Sequence, residues 1–475
     1  MWYSKLNNTR LWKIFSEISA IPRESGNEEG IRNYLLSWAS EKGIEASADE
    51  KGNVYMSKPG TKGFEKLPPV ALQAHVDMVC VKKDKSNHDF TKDPIKVKTD
   101  GTVIYADGTS LGADDGLGVA IILDIFSDPD AKHGPIEGIF TVEEETGLGG
   151  AYAIDASKVK ARRLINIDSE EEGIIYIGCA GGVDIDATMK LKYEKATGTA
   201  LSVKVSGLLG GHSGGEIHKG RANAIKILAR YLDRLPSFQI ASISGGTRRN
   251  VIPSSAEAII TVSDKTTAIS QAKSLQEELS FEYAKNDPGI RISVTETEMP
   301  ATAIKAKKSQ KIAGLLLTSP HGVRDMSLSI PGIVETSDNL AIVSMDSDRI
   351  TVIYSVRSNV DSKKNSLMSE ILTLTTAFGF KAKAGGSYPS WTPDPASKLA
   401  KEVSAAYKSI TGKKAEVTAI HAGLECGIIN SIIPGMESVS LGPDLADVHS
   451  VNEKADVASA ERTAQFVKQM LPMLK

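Results

Sequence analysis

Strand-like and helix-like segments alternate along this chain to about Asp186, and the alternation returns only after "GGSYPSWTPDP", whose prolines and glycines read as a linker. Parallel strands need long crossovers, usually helices, so such alternation calls for a mostly parallel sheet covered by helices. At 475 residues the chain also exceeds what one ordinary core organises. One α/β domain built from both chain ends, residues 1–186 and 389–475, is therefore expected. Residues 187–388 read differently. "ALSVKVSGL", a helix over Ala222–Leu235, "FQIASISGG", "AEAIITVS", a helix around Gln271–Tyr283 and "IRISVTE" run β-α-β-β-α-β, the split, ferredoxin-like order. The hairpin, helix and strand that follow either enlarge this unit or begin a second. The expected fold class is α/β: a mixed, mostly parallel sheet domain with an inserted α+β, ferredoxin-like domain.

The strand "LQAHVDMVC" sharpens the question of function. It reads as an interior strand, yet His75 and Asp77 stand two apart and so share one face. Buried polar groups need partners. Other acids and imidazoles fall at predicted strand ends: Asp114 and Asp115 in "GADDG", Glu143, Glu144 and Glu145 in "VEEETG", Asp168 in "NIDS" and His449 in "DVHS". Loops converge at the carboxyl ends of strands in open α/β sheets, and sites form there. Each motif alone has an ordinary structural reading: a histidine satisfied by its aspartate, a capping turn, a solvated acidic turn. Together, a carboxylate cluster at one sheet end calls for cations. Mixed His and carboxylate donors suit zinc, with cobalt or manganese as substitutes.

Composition narrows the field. Lys and Arg number 56 against 59 Asp and Glu, a formal net charge of -3, which argues against a dominantly electrostatic nucleic-acid or membrane-surface binder. Aromatics are 5%, too sparse for base-stacking platforms. The three cysteines, Cys80, Cys179 and Cys426, form no close pair, so neither a disulfide framework nor a thiolate zinc knuckle is expected. The N-terminal stretch lacks the pattern of a signal peptide, and no run reaches membrane-span length. A cytoplasmic protein is the default expectation.

Taken together, "LQAHVDMV", "GADDGLGVA", "VEEETGLGGA", "INIDSEEEG", "GLLGGHSGGEI", "RRNVIP" and "VHSVNE" resemble the dinuclear zinc peptidases related to carnosinase and carboxypeptidase G, in their aminoacyl-histidine (Xaa-His) dipeptidase branch. The likeness spans essentially the whole chain. It implies a catalytic domain carrying an inserted lid, which agrees with the domain reading above. It assigns His75 and Asp168 to one Zn2+, Glu145 and His449 to a second, and Asp114 to a bridge between them. Asp77 then resembles the residue that orients His75, and Glu144 the general base that takes a proton from a water held between two metals. The glutamate triplet leaves two registers, settled by placing base and ligand directly before "TG". His212 resembles the lid histidine that stabilises the oxyanion, in some relatives across a dimer. Asn250, Arg357 and the "HAGLECG" loop, with His421 and Gly423, resemble substrate binders. Arg357 would suit a free C-terminal carboxylate.

The resemblance implies hydrolysis of unblocked dipeptides, Xaa-His including β-Ala-His among them, and a homodimer through the lid. The alternatives are an N-acyl amino-acid deacylase or aminopeptidase using the same site, or, in a different class, a metal-stabilised binding protein without turnover. Glu144 speaks against the last, because a structural site needs no spare base. The expected partner is a small peptide substrate, with neither nucleic acid nor membrane.

Overall fold

A computed structural model describes residues 1–475. The chain folds into two compact units. The first comprises Met1–Cys179, Trp391–Ala419 and Leu424–Lys475; the second comprises Ala180–Ser390 and Ile420–Gly423.

An eight-stranded mixed sheet organises the first unit. Its four central strands, Ile136–Thr141, Val70–His75, Arg163–Asn166 and Glu437–Ser440, lie side by side and parallel. Every residue of Val70–His75 is buried, as expected of a strand covered on both faces. Antiparallel neighbours flank this centre: Val54–Lys58 and Glu45–Ala48 on one side, Ile174–Cys179 on the other. The helix Ala113–Ser127 is apolar all round and almost wholly buried, whereas Thr9–Ser19 buries one face through Leu11, Trp12, Ile14, Phe15 and Ile18. The Asn8 side chain caps that first helix by accepting from Leu11 N at 3.1 Å.

The second unit is built on one nine-stranded sheet. Thr199–Ser206, Gln239–Gly245, Ala256–Val262 and Arg291–Glu296 stand in the spatial order fourth, first, third, second, all antiparallel, which is the ferredoxin-like arrangement. The later hairpin, Val334–Met345 and Arg349–Ser358, continues the same sheet, so it enlarges the unit and does not begin another. The helix Ala224–Asp233 packs Ile225, Leu228, Tyr231 and Leu232 into this unit's core.

The boundaries differ from the sequence expectation for a hydrogen-bonding reason. Gly181–Lys190 is one continuous strand, paired from Gly181↔Ser358 to Lys190↔Arg349. A division at residue 186 would cut it, so residues 180–186 belong to the second unit. Lys381–Tyr388 pairs with the other edge of that strand, so the first half of the proline- and glycine-rich stretch is sheet and not linker. Ile420–Gly423 joins the second unit because Ala180 N donates to the carbonyls of Ile420 (3.1 Å) and Ala422 (3.0 Å). The "HAGLECG" motif is loop only as far as Leu424, and a helix begins inside it at Glu425.

Asn223 tests the second unit's core directly. Its Oδ1 accepts from Ile225 N and Lys226 N at the start of Ala224–Asp233, while Nδ2 donates to Leu340 O at 2.8 Å. Asn223→Ala removes the cap and strands a buried carbonyl. The expected loss is about 1–3 kcal/mol, read as a lower urea midpoint by circular dichroism.

Candidate active site

The ends of the central strands and the loops after them gather the acids and imidazoles of the first unit. His75 closes its strand, Asp168 follows Arg163–Asn166, Glu144 and Glu145 follow Ile136–Thr141, and Asp114 opens the long helix. Asp114 Oδ1 stands 2.9 Å from His75 Nε2, and Asp114 Oδ2 stands 2.9 Å from His449 Nε2. Each imidazole has its own second carboxylate. Asp168 Oδ1 lies 3.5 Å from His75 Nε2, and Glu145 Oε1 lies 2.9 Å from His449 Nε2. The five residues thus divide into two groups sharing one aspartate.

Ionisation reflects this crowding. Burial works against a charged His75, but Asp168, Asp114 and Asp77 outweigh it and hold the ring's pKa well above the ordinary value. Hydrogen bonds to Asp114 and Glu145 lift His449 to about 11. Burial raises Asp168 to about 6, against the pull of His75 and with repulsion from Asp114 and Glu145. Glu144 is raised well above the carboxylate range, first by burial and then by Asp168, Glu425 and Glu145. Protons on the two Nε2 atoms stand where cations would hold the carboxylates together.

The remaining acids have separate tasks. Asp115 adjoins the His75–Asp168 group, but its oxygens are taken by backbone N–H groups of His75 (3.2 Å) and Gly118 (3.1 Å). Gly118 must lack a side chain, since a Cβ there would lie 2.2 Å from Asp115 Oδ1 and 2.4 Å from Ile167 O. Glu143 has φ 53° and spends its carboxylate on Lys51 Nζ at 2.6 Å, so the triplet's last two residues are the ones turned to the site. The carboxylate of Glu144 makes no ion pair, whereas Glu143 pairs with Lys51 and Glu145 with His449. Asp77 Oδ1 is 3.4 Å from His75 Nδ1, long for a hydrogen bond, while the carboxylate accepts firmly from Ser25 Oγ (2.7 Å), Glu144 N (3.0 Å) and Glu145 N (3.2 Å). Asp77 therefore holds the Glu144–Glu145 turn as much as it faces the imidazole. These contacts, with burial opposing them, bring its carboxyl down to about 2.

The second unit brings its own residues together. Arg357 Nη1 donates to Tyr388 Oη at 2.9 Å, and the Tyr388 ring lies against Gly423, where a Cβ would come within 3.0 Å of it. His421 Nε2 is 2.7 Å from Ser337 Oγ, beside Arg357 in the strand register. Burial, then Arg357, lowers His421 to about 3, so its ring is neutral. His212 pairs with Val251 across a short ladder, which sets Asn250 beside it. Both residues are exposed, and Asn339 Nδ2 anchors their loop through the carbonyls of Arg249 and Val251.

A relationship to known proteins agrees with this arrangement. The pattern of Peptidase family M20/M25/M40 matches residues 71–472. The chain belongs to that peptidase family. The cytosol non-specific dipeptidase of Escherichia coli (strain K12) is 39% identical over 464 residues, covering 96% of each chain. The crystal structure of aminoacylhistidine dipeptidase from Vibrio alginolyticus superposes with a TM-score of 0.91 at 34% identity, over 99% of this chain and 98% of that one. A tripeptidase from Staphylococcus aureus shares the fold, at 18% identity and a TM-score of 0.58 over 99% of each chain. This M20 peptidase is a hydrolase acting on peptide bonds.

The donor set of this M20 peptidase fits metal ions. His75, Asp114 and Glu145 offer ligand atoms within 4.8 Å of one another, and Glu145 Oε1, which faces His449 Nε2, is buried without a hydrogen-bond partner of its own. Two oxygens of one carboxylate facing two imidazoles is the geometry a shared ligand requires.

Several supports escaped the sequence. Glu453 Oε2 accepts from Leu111 N (2.7 Å) and Gly112 N (3.0 Å), and Oε1 accepts from Ala113 N (2.7 Å), fixing the approach to Asp114. Arg23, fully buried, donates to the carbonyls of Val76, Asp77 and Gly112. Tyr388 lay hidden in the expected linker. Glu425 gave no signal beyond its place in "HAGLECG". His133 is buried, with Nδ1 2.6 Å from Gly134 O.

Burial raises Glu425 from 4.5 to about 7. The unfolded chain releases this proton near 4.5 and the folded chain retains it to about 7. Stability from this group is thus full below 4.5 and lost as pH rises to 7. In metal-free protein, Glu425→Gln should flatten that descent: its melting temperature relative to wild type should rise between pH 5 and 8, as measured by calorimetry.

Proposed function

We propose that this M20 peptidase hydrolyses unblocked dipeptides, Xaa-His dipeptides among them, using two bound metal ions. The observation that carries the reading is the division of Asp114 between two imidazoles, each with its own further carboxylate. His75, Asp168 and Asp114 Oδ1 would hold one ion; His449, Glu145 and Asp114 Oδ2 the other. Zinc is assigned on donor chemistry, with cobalt and manganese as substitutes. When bound, such ions lower the pKa of water and polarise a scissile carbonyl.

Glu144 supplies what the ligands cannot. Its carboxylate is free, sits beside a ligand, and is presented by a turn that Asp77 clamps through two backbone N–H groups. It takes the proton of the attacking water and returns it to the leaving amine, so the carboxylate base is regenerated at the end of each cycle. Asp77 orients His75 and aims Glu144. Arg357 is assigned the free carboxylate of the substrate, with Tyr388 fixing the guanidinium plane and Gly423 leaving room for the Tyr388 ring. His421 contributes a neutral ring held by Ser337. His212 is assigned to the developing oxyanion and Asn250 to the substrate carbonyl. The dipeptidase reading draws on the two full-length relatives, one named non-specific and the other aminoacylhistidine-specific. We further assign a cytoplasmic location, in keeping with the cytosolic relative, and a homodimer formed through the second unit. No helix is long and apolar enough to cross a membrane.

Two experiments test this. Glu144→Ala should retain about two metals per chain by elemental analysis while losing turnover of dipeptides by about 100- to 10,000-fold. Unchanged turnover would falsify the assignment of the base. Arg357→Met should raise KM for unblocked dipeptides by about 10- to 100-fold and leave the already poor cleavage of C-terminally amidated dipeptides unaltered. Wild-type cleavage of N-acetylated amino acids in preference to dipeptides would favour the deacylase reading instead.

A further inference from the structure

Glu425 is a fully buried acid beside the candidate centre, and the hydrolytic scheme gives it no task. It opens the helix Glu425–Ile432, and its Oε2 accepts from Gln73 Nε2 and Thr141 Oγ1, both at 2.6 Å. The bonding continues sideways. Gln73 Nε2 also reaches Thr141 Oγ1 at 3.1 Å, Gln73 Oε1 accepts from Asn166 Nδ2 at 2.7 Å, and Asn166 Oδ1 accepts from Ser440 Oγ at 2.5 Å. Ser440 Oγ then meets Ser169 Oγ at 2.6 Å. All of these residues are buried.

The register gives this chain of bonds its meaning. Gln73, Thr141, Asn166 and Ser440 come one each from the four central parallel strands. Gln73 pairs with Asn166, Asn166 with Ser440, and His75 with Thr141. Residues two apart share a face. Gln73 therefore lies directly beneath His75, and Asn166 beneath Asp168. Thr141 ends the strand that leads into Glu144. Sheet interiors are normally apolar, and a row of polar side chains across four strands persists only if every member is bonded.

We propose that Glu425 is a positioning residue of the hydrolytic centre: it closes a buried hydrogen-bonded layer, Glu425–Thr141–Gln73–Asn166–Ser440, that sets where the strand ends present His75, Asp168 and Glu144. Glu425 Oε1 is buried and unpartnered, so the carboxyl is not there to satisfy the core; an apolar residue of similar size would fill the space without that orphan. The inference rests on the hydrolytic reading given above, and the test separates the two.

The experiment compares wild type, Glu425→Leu and Glu425→Gln, each loaded with Co2+ as the metal probe, by visible absorption and by dipeptide kinetics. Glu425→Leu should melt cooperatively, bind Co2+ with an altered ligand-field spectrum, and lose about 10- to 100-fold in kcat with KM changed less than about 3-fold. Glu425→Gln keeps an oxygen for Gln73 and Thr141, so it should restore the wild-type spectrum and most of kcat. A Leu variant with wild-type spectrum and kcat overturns the inference, as does a Gln variant as impaired as Leu. Should Glu425→Leu fail to fold, Thr141→Val removes one donor at constant volume and should lower kcat about 3- to 10-fold; no change there also overturns it. If wild type itself cleaves no dipeptide, the hydrolytic reading fails, while the cobalt spectra still report whether Glu425 positions the ligands.

Discussion

One carboxylate between two imidazoles is the constraint on which the first unit turns. Asp114 can serve both His75 and His449 only if its backbone is held still, and the structure holds it from both sides. Glu453 takes up the N–H groups of Leu111, Gly112 and Ala113, and Arg23 binds the carbonyls of Gly112, Val76 and Asp77. These are buried charges tied to backbone, so none competes for the site. Asp115 behaves likewise, spending its carboxylate on His75 N and Gly118 N. The acids that remain uncommitted are the ones placed to hold a metal or move a proton.

Support and chemistry are stacked in depth. His75 ends its strand and Asp168 lies just beyond another, Gln73 and Asn166 lie two positions before them in the polar layer, and the apolar helix Ala113–Ser127 lies within the core. A parallel sheet suits this because all four central strands end at the same side, so one register aligns every contribution. Asp77 shows how economical the arrangement is: one carboxylate faces an imidazole and also clamps the turn that presents Glu144 and Glu145.

Much of this was legible along the chain. His75 could be placed on its strand, but Asp77, expected on the same strand face, lies two residues beyond the strand's end at His75. Glu144–Glu145 and Asp168 do follow strand ends as expected, whereas Asp114 lies at a helix start and His449 in a loop after a strand of a different sheet, and their selection came from the family resemblance. The ferredoxin-like order was visible from its sequence of strands and helices. What escaped was of a different kind. Glu453, Arg23 and Glu425 act through partners distant in the chain, as when Glu453 meets Leu111, and no local pattern marks such a residue. Tyr388 was concealed because glycine and proline punctuation suggested a linker, whereas strand pairing with Gly181–Lys190 claimed it for the sheet. The boundary at residue 186 missed for the same reason: edge pairing, not composition, decides where a strand belongs.

The sequence by itself determined which residue types were available and on which elements they would fall, since alternation, caps and strand-end acids are local properties of the chain. The resemblance implied separate roles for Asp114, Glu144 and Glu145, but only the tertiary structure shows what distinguishes them from their neighbours. Asp115 and Asp114 are neighbours with the same side chain, and so are Glu143 and Glu144. Backbone N–H groups capture Asp115, and Lys51 captures Glu143, leaving the other two free for chemistry. That sorting depends on which donors arrive from elsewhere in the fold, and hydrogen-bond competition over such distances is written only in three dimensions.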